Sequence, residues 1–177
     1  GKVFLKAAGF AFDKNDESWL VKNNQQIMKA KQILQNHTDQ IRMPSDFGVL
    51  TNGQRRDVNV KQLAGTGAAL DIGAETIDDF THIIRQSKTI VASGPMGVFE
   101  QDQFETGTKT ILEEMARTNA FTVIGGGHLA GYASILKITS KFSHVSTAGG
   151  AMLSLLAGES LPAIVALEDS ARLHGKK

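Results

Sequence analysis

The chain lacks cysteine altogether and has little proline, little aromatic character and almost no net charge: three prolines, one tryptophan, one tyrosine and a formal charge of +1 in 177 residues. Without cysteine it has no disulfide, no thiolate metal site and no cysteine nucleophile, and we expect it to act in a reducing cytoplasm. The balanced charge argues against a duplex DNA binder, which needs a basic face. We therefore expect no nucleic-acid partner.

Long hydrophobic runs are also absent. No apolar stretch approaches the roughly 18 residues that a membrane-spanning helix needs, and no signal peptide opens the chain, so we expect no membrane partner. Hydrophobic residues make up 41% and charged residues 21% of the chain, as in a globular domain of ordinary composition. The first six residues, GKVFLK, resemble the middle of an element without an initiator Met, which predicts a fragment or a processed product.

The N-terminal part has a helical pattern followed by broken strands. Residues 17–41 are predicted to form one helix because apolar residues recur there at helical spacing, with Asp16 as its N-cap and Trp19 as a packing residue. Residues 41–62 are interpreted as short strands separated by turns. The charged stretch 54–57 is interpreted as a solvated loop.

From residue 70 onward, short apolar runs alternate with helical patterns. The apolar stretch 70–73 leads into the first of these helices, the later strands are predicted at 88–92, 121–124 and 144–146, and the helices at about 75–86, 101–118, 128–136 and 149–157. This alternation is typical of βαβ units. It predicts an α/β fold, a three-layer α/β/α Rossmann-like domain with a mostly parallel sheet, and we take residues 1–177 as one domain.

Three glycine turns follow three of these strands. The first is Gly94-Pro95-Met96-Gly97, the second Gly125-Gly126-Gly127-His128 and the third Thr147-Ala148-Gly149-Gly150. Because the carboxyl ends of parallel strands share one edge of a sheet, the turns are expected to converge there, where open α/β sheets bind ligands. Glycine-rich helix starts offer backbone donors to an anion. A single such turn is ordinary βα chemistry, but three predict a phosphorylated ligand.

The ligand class is narrowed by what the turns do not contain. A P-loop needs Gly-Lys followed by Ser or Thr, and neither Gly-Lys pair of the chain is followed by such a residue. The second turn matches G-x-G-x-x-A, but the next strand ends at Ser146 without the acid that a dinucleotide fold requires. Glu100 is either a ribose acceptor or a first-turn glutamate favoured by a helix dipole. The histidines show no metal spacing, and no metal ligand is predicted.

Five segments together resemble the C-terminal nucleotide-binding half of phosphoglycerate kinase. They are SGPMGVFE at 93–100, FTVIGGGH at 121–128, FSHVSTAGGAMLSLLAGESLPAIVAL at 142–167, LDIGAET at 70–76 and VFLKAAGF at 3–10. The likeness runs from about residue 3 to about residue 168 and is dense after residue 70. Three of the motifs occur in the family's order and spacing, which makes the resemblance specific.

The resemblance implies a two-lobed glycolytic kinase. That family transfers a phosphoryl group, with magnesium, between 1,3-bisphosphoglycerate and ADP to give 3-phosphoglycerate and ATP, and its C-terminal lobe holds ADP or ATP. By resemblance, Leu70 contacts adenine, Glu100 binds the ribose hydroxyls, Ser93, Gly94, Pro95, Gly97 and Val98 line the nucleotide pocket, and Gly125, Gly126, Gly127, His128 and Leu129 hold the phosphates. Ser146, Thr147, Gly149 and Gly150 face the transferred phosphoryl group, with Gly149 and Gly150 as the candidate catalytic residues.

Three positions depart from the common pattern of that family. His128 replaces an Asp that helps to hold the metal in many members, and Ser93 replaces an Asn; both changes resemble the archaeal branch. Ala148 replaces the first of three glycines. Two outcomes are expected for this methyl group: it crowds the backbone near the phosphate, or it is harmless because φ of Ala148 is negative.

The resemblance also implies that a lobe is missing. No counterpart of the N-terminal lobe, which grips phosphoglycerate, is found, so we expect the chain to bind nucleotide but to be inactive alone. Two alternatives remain open: a non-catalytic nucleotide-binding or regulatory domain, and a dinucleotide oxidoreductase domain. The polar tail 173–177 is expected to be frayed.

Overall fold

A computed structural model describes residues 1–175 of the chain, and an α/β fold is confirmed. The helices are α1 (Lys2–Ala7), α2 (Lys14–Lys22), α3 (Asn24–His37), α4 (Ala74–Gln86), α5 (Thr106–Arg117), α6 (Gly127–Ile135), α7 (Gly149–Leu156) and α8 (Pro162–His174). The strands are β1 (Asp46–Thr51), β2 (Gln54–Asn59), β3 (Ala69–Ile72), β4 (Thr89–Ser93), β5 (Phe121–Gly125) and β6 (His144–Ser146).

The chain divides into two compact units. Unit 1 comprises residues 1–86 and 95–114, and unit 2 comprises residues 87–94 and the chain from residue 115 onward. One of the three boundaries falls inside the first glycine turn, between Gly94 and Pro95, and another falls inside α5, between Glu114 and Met115. Each unit has a sheet of its own, with strand order β2-β1-β3 in unit 1 and β4-β5-β6 in unit 2.

The helix predicted over 17–41 is two helices in unit 1. Asn23 (φ −107°, ψ 32°) ends α2 and precedes α3, so the helical pattern continues although the axis is interrupted. The predicted N-cap is also wrong: α2 begins earlier, and its cap is Asp13, whose carboxylate accepts the amide of Asn15 at 3.1 Å. Asp16 is instead buried, and its carboxylate accepts hydrogen bonds from Lys2 Nζ at 2.6 Å and from the amide of Ala69 at 2.9 Å.

The sheet of unit 1 is antiparallel. β1 pairs with β2 from Asp46↔Asn59 to Thr51↔Gln54, and β3 pairs with the other side of β1 through Phe47↔Ile72. A turn at Asn52 and Gly53, with φ of 51° and 78°, joins β1 to β2 as a hairpin. The stretch at 70–73 therefore belongs to this antiparallel sheet rather than to the parallel one. The side chains of Phe47, Val49 and Ile72 are buried in the core of unit 1.

The start of α4 receives two carboxylates from neighbouring strands. Asp46 accepts the amides of Glu75 and Thr76 at 3.1 and 2.8 Å, and Asp57 accepts the amide of Ala74 at 2.9 Å. These bonds satisfy amides that a helix leaves without intrahelical partners. No room remains for a side chain at Gly73, because a Cβ there would overlap the Asp46 carboxylate.

The sheet of unit 2 is parallel, as predicted for these three strands. β4 pairs with β5 from Thr89↔Phe121 to Ser93↔Gly125, and β5 pairs with β6 from Val123↔His144 to Gly125↔Ser146. Each strand lies within one residue of its predicted bounds. The core of this unit contains Ile124 and, from α6, Leu129, Tyr132 and Ala133. Helix α6 contacts both β5 and β6.

The last helix extends the fold beyond the predicted elements. Pro162 occupies the first turn of α8, where its missing amide hydrogen costs nothing. The helix continues to His174, so Leu173 is helical where a frayed tail is predicted; residues 176 and 177 lie outside the described residues. Among the described residues, no helix combines the length and the apolar character required to cross a membrane.

Candidate functional site

The carboxyl ends of the three parallel strands lie side by side in unit 2. Ser93, Gly125 and Ser146 are register partners across β4, β5 and β6, so the segments that follow these strands leave the same edge of the sheet. The predicted convergence of strand ends is therefore present at these three residues. All of the second and third glycine turns lies at this edge, and of the first turn only Gly94 belongs to unit 2.

The second glycine turn has a backbone that only glycine adopts easily. Gly126 has φ of +97° and donates its amide to the Ser146 carbonyl at 2.9 Å. It is also the N-cap of α6, and no side chain among the described residues caps that helix. His128 is exposed in the first turn of α6, and Leu129 is buried. The start of α6 therefore combines a positive dipole end with first-turn amides that no side chain of residues 1–175 caps.

The third glycine turn approaches the second closely. A Cβ on Gly149 would lie 2.9 Å from Gly126 Cα, closer than real Cβ contacts allow, so glycine is required there. Ala148 has φ of −97°, a value open to any L-residue, so its methyl group is accommodated without strain. Ser146 Oγ accepts the Ala148 amide at 3.2 Å, while α7 has no side-chain cap among the described residues. Thr147 and Gly150 are exposed beside it.

The first glycine turn differs, because in unit 1 its amides are already used. The amides of Met96 and Gly97 donate to Thr108 Oγ1 at 3.1 and 3.2 Å, and the amide of Val98 donates to the Leu70 carbonyl at 2.8 Å. Proline at position 95 has no amide hydrogen. In the part of this turn that lies in unit 1, the amides of residues 96–98 are therefore paired within the protein and are not available to an anion. This part of the turn presents Cα atoms and side chains rather than amide donors.

The residues around this turn line an open cleft of about 220 Å³ in unit 1. Its wall includes Leu70, Pro95, Gly97 and Val98, all predicted from the sequence, together with Phe47 and Met96. Lys2, which is paired with Asp16, and Asp71 also line the cleft beside these apolar side chains. The apolar part of the lining suits a flat, weakly polar group better than a phosphate.

Glu100 lies in a tight turn and not in a helix. The amide of Gln101 donates to the Val98 carbonyl at 3.0 Å, which places Glu100 in the bend between them. Helix α5 begins only at Thr106, after a short 3₁₀ segment at Asp102–Phe104, so the predicted helix start near 101 is too early. The interpretation of Glu100 as a glutamate in the first turn of a helix is therefore not supported, because no helix begins there. Its carboxylate is exposed.

A buried ion pair supports the first glycine turn from behind. Asp71 Oδ2 accepts Arg55 Nη1 and the amide of Gly107, both at 2.8 Å, and the Asp71 side chain is fully buried. Gly97 packs directly on this carboxylate, since a Cβ at Gly97 would overlap it. Burial raises the pKa of the Asp71 carboxyl, against hydrogen bonds from Gly107, Arg55 and Ile72 that lower it. Arg55 stays charged and provides the compensating cation.

The sequence prediction for residues 54–57 is wrong at this point. Instead of a solvated loop, this stretch is the start of β2, and the Arg55 side chain is only 17% exposed. Its guanidinium also donates to the carbonyl of Ile72 at 2.9 Å and lies 5.9 Å from the ring centre of Phe104. Arg55, Asp71 and Thr108 were missed as residues that shape the site. The available signal was Asp71 itself, a lone carboxylate inside the apolar run ALDI, which requires a buried partner.

The described residues do not form a metal site by themselves. Within residues 1–175, no three acidic or histidine side chains are grouped so that they could hold a metal ion.

The predicted site residues fall into two sets, one in each unit. Unit 2 contains Ser93, Gly94, Gly125, Gly126, Gly127, His128, Leu129, Ser146, Thr147, Gly149 and Gly150; unit 1 contains Leu70, Pro95, Gly97, Val98 and Glu100.

Comparison with known proteins identifies one family. The family model for phosphoglycerate kinase matches residues 1–159. A phosphoglycerate kinase of Methanothermus fervidus is 40% identical over 176 residues, and that of Methanobacterium bryantii is 38% identical over 177 residues. These alignments cover 98% and 99% of this chain but 43% of each relative, so the chain spans less than half the length of the relatives it matches.

Solved structures give the same result. The crystal structure of phosphoglycerate kinase from Pyrococcus horikoshii superposes with a TM-score of 0.83 and 37% identity, covering 96% of this chain and 43% of that one. The phosphoglycerate kinase of Coxiella burnetii gives a TM-score of 0.74 and 32% identity, covering 92% of this chain and 42% of that one. Fold and sequence therefore agree over nearly the whole chain.

Proposed function

Because this chain belongs to the phosphoglycerate kinase family, we propose that it is the nucleotide-binding lobe of such a kinase, comprising residues 1–177 and acting in the cytoplasm. In the intact enzyme this lobe serves phosphoryl transfer between 1,3-bisphosphoglycerate and ADP in glycolysis. The bisphosphoglycerate or 3-phosphoglycerate would be bound through the N-terminal lobe of the enzyme. The observation that carries the proposal is the pair of glycine-started helices at one edge of the parallel sheet.

The phosphate groups are assigned to the second and third glycine turns. The starts of α6 and α7 have no side-chain cap among the described residues, and Gly126 lies close to Gly149 with no Cβ between them. Backbone amides and two helix dipoles can then bind anionic oxygens without a lysine. A Cβ at Gly127 or Gly150 would meet no atom within 4 Å, so space is open there for a ligand. Ser146 and Thr147 add hydroxyl groups.

The nucleoside is assigned to the cleft in unit 1. Leu70 and Val98 offer an apolar wall for the adenine, joined by the hydrogen bond between the Val98 amide and the Leu70 carbonyl. Glu100, exposed in the adjoining bend, is assigned to the ribose hydroxyls, because a carboxylate accepts two hydroxyl hydrogens. Ser93, the last residue of β4, and Gly94, which follows it, belong to unit 2 and are assigned to the nucleotide by the resemblance alone.

Phosphoryl transfer needs positioning and stabilisation of charge more than covalent chemistry. Gly149 and Gly150, in the first turn of α7, are assigned to the charge that develops on the transferred group, through their amides. Magnesium, when bound with the nucleotide, would neutralise part of the phosphate charge. Since no three acidic or histidine side chains of the described residues are grouped to hold this ion, phosphate and water oxygens would supply most of its ligands.

Calorimetric titration with ADP, with and without magnesium, tests the proposal. We expect wild-type chain to bind ADP, Glu100→Ala to bind it more weakly because the ribose acceptor is lost, and Gly126→Val to lose binding because a branched side chain blocks the amides. Two matched controls are available. Gly9→Val introduces the same substitution at φ +95°, away from both assigned regions, and Glu159→Ala removes another exposed carboxylate.

The alternative outcomes are distinguishable. A folded wild-type chain, verified by circular dichroism, that does not bind ADP would contradict the proposal. Equal losses in Gly126→Val and Gly9→Val would assign the effect to backbone strain. Steady-state kinase assays on the chain alone are expected to show no turnover, since it spans 43% of the length of its relatives. Activity near that of an intact phosphoglycerate kinase would overturn that expectation.

A further inference from the structure

We propose that Thr108 is a positioning residue for the nucleoside, because its hydroxyl oxygen holds the first glycine turn in the shape that forms the cleft beside Leu70. The inference rests on the proposed function, in which that cleft takes the adenosine part of the nucleotide. Thr108 lies behind the turn and is 1% exposed. It therefore acts on a ligand only through the backbone that it holds.

The hydroxyl of Thr108 is a shared acceptor for two consecutive amides. Met96 N and Gly97 N lie 3.1 and 3.2 Å from Thr108 Oγ1, and the next amide, that of Val98, bonds to the Leu70 carbonyl at 2.8 Å. A run of three amides is thus held by two acceptors, one on α5 and one on β3. An unpaired amide in this partly buried position is unfavourable, so these hydrogen bonds favour the arrangement of the turn that the structure has.

The position of Thr108 is itself fixed from the other side. Thr108 follows Gly107 in the first turn of α5, and the Gly107 amide donates to Asp71 Oδ2 at 2.8 Å. The same oxygen accepts Arg55 Nη1 at 2.8 Å. Gly97 and Gly107 both pack against Asp71 without room for a Cβ. The buried ion pair therefore sets where α5 begins, and the start of α5 sets where the turn lies.

Replacement of the hydroxyl by a methyl group isolates this effect. Thr108→Val keeps the volume and β-branching of the side chain but removes the acceptor for two amides. We expect the dissociation constant for ADP to rise at least tenfold, because the turn has to move in order to satisfy the Met96 and Gly97 amides. Thr108→Ser retains the oxygen and is expected to bind ADP within threefold of wild type. The probe for the phosphate end alone is inorganic pyrophosphate.

The control separates positioning from stability. Thr81→Val changes a buried threonine whose hydroxyl donates to the Asp78 carbonyl of its own helix at 2.9 Å, and it is expected to leave ADP affinity unchanged. Thr108→Val should weaken the binding of ADP but not the binding of pyrophosphate. If the wild-type chain does not bind pyrophosphate, we expect the variant to lose ADP binding altogether. Unchanged ADP affinity in Thr108→Val, or equal weakening of ADP and pyrophosphate, would overturn the proposal.

A ligand-free measurement covers the case in which Thr108→Val does not fold. Amide hydrogen exchange of wild-type protein is expected to show Met96 and Gly97 protected without nucleotide, at rates near that of Val98. Rapid exchange at both amides would overturn the positioning role. Failure of the wild-type chain to bind ADP would instead reject the proposed function, and the exchange rates would still show whether Thr108 holds the turn.

Discussion

Helices that come after a β-strand begin differently in the two units. In unit 1, α4 begins on the carboxylates of Asp46 and Asp57, and the Gly107 amide of α5 donates to Asp71. In unit 2, α6 and α7 begin at glycines, without side-chain caps among the described residues. The protein's own carboxylates thus complement the starts of α4 and α5. The starts of α6 and α7 have no such partner among the described residues, which is the arrangement that the proposed phosphate site requires.

Glycines recur in both units, but they have different roles there. Gly73 and Gly97 make room for the carboxylates of Asp46 and Asp71. Gly126 and Gly149 make room for each other and leave the helix starts open, and only Gly126 has a positive φ among these four. A glycine-rich turn is therefore not sufficient to identify a phosphate site. The role of such a glycine depends on whether it faces a protein carboxylate or open space.

The largest expected effect comes from removing the cation that pairs with the buried Asp71 carboxylate of unit 1. Arg55→Met would leave Asp71 buried without its cation, and loss of one partner of a buried pair costs about 3–5 kcal/mol of unfolding free energy. Chemical denaturation of wild type and variant measures the difference. Arg56→Met is the matched control, because Arg56 is exposed on the same strand and its loss should change stability by about 0.5 kcal/mol or less.

A double variant identifies the cause. If the buried charge is what destabilises Arg55→Met, then adding Asp71→Asn should recover part of the loss, because a neutral amide is less unfavourable in that position. A loss of less than about 1 kcal/mol in Arg55→Met would be inconsistent with a compensating role for this cation. The carboxylates of unit 1 would then not need their internal partners.

A smaller effect is expected when α7 is given the kind of cap found in unit 1. Ala148 is the N-cap of α7, and Ala148→Asp would place a carboxylate where it can accept the free amides of the first turn. We expect a gain in stability of about 1 kcal/mol together with loss of ADP binding, because the new carboxylate repels phosphate. Thermal denaturation and ADP titration measure the two effects in one sample.

Ala148→Ser is the neutral control for this substitution. A serine can cap α7 without adding negative charge, so it should stabilise the chain while retaining most of the ADP affinity. If Ala148→Asp binds ADP as well as wild type does, the start of α7 is not part of the phosphate site. The contrast between the two units would then concern folding alone.

The sequence predicted the parts of the protein that depend on local backbone chemistry. The strands β4, β5 and β6 are short apolar runs that end in glycine turns, and each is correct within one residue. The break at Asn23 was missed because apolar spacing continues through it and neither glycine nor proline marks it. The antiparallel partner of β3 was missed because strand pairing depends on residues 20 or more positions away.

Within the site, the same distinction applies. Glycines such as Gly126 are visible in the sequence because their role depends on their own backbone. The Arg55–Asp71 pair and the hydrogen bond from the Gly97 amide to Thr108 Oγ1 join residues 16 and 11 positions apart in different parts of the fold. No periodicity links such residues, since partner geometry arises only when the strands and helices are packed. The supporting contacts of a site are thus harder to predict than the residues that line it.

The smallest expected effect concerns a surface carboxylate of unit 1 that, unlike Asp46 and Asp57, pairs with an arginine instead of capping a helix. The Arg42 guanidinium, which forms two hydrogen bonds with Asp79 at the surface, lowers the pKa of the Asp79 carboxyl. A lowered pKa means that the pair stabilises the fold above the unfolded-state pKa of about 4 and that this contribution is lost as pH falls through the folded-state pKa. Asp79→Asn should therefore reduce stability slightly at pH 7, and the difference from wild type should vanish in acid and shrink in high salt. Asp78→Asn, at the exposed neighbouring position, is the control; a difference for Asp79→Asn that did not change with pH would mean that the side chain contributes through packing instead of charge.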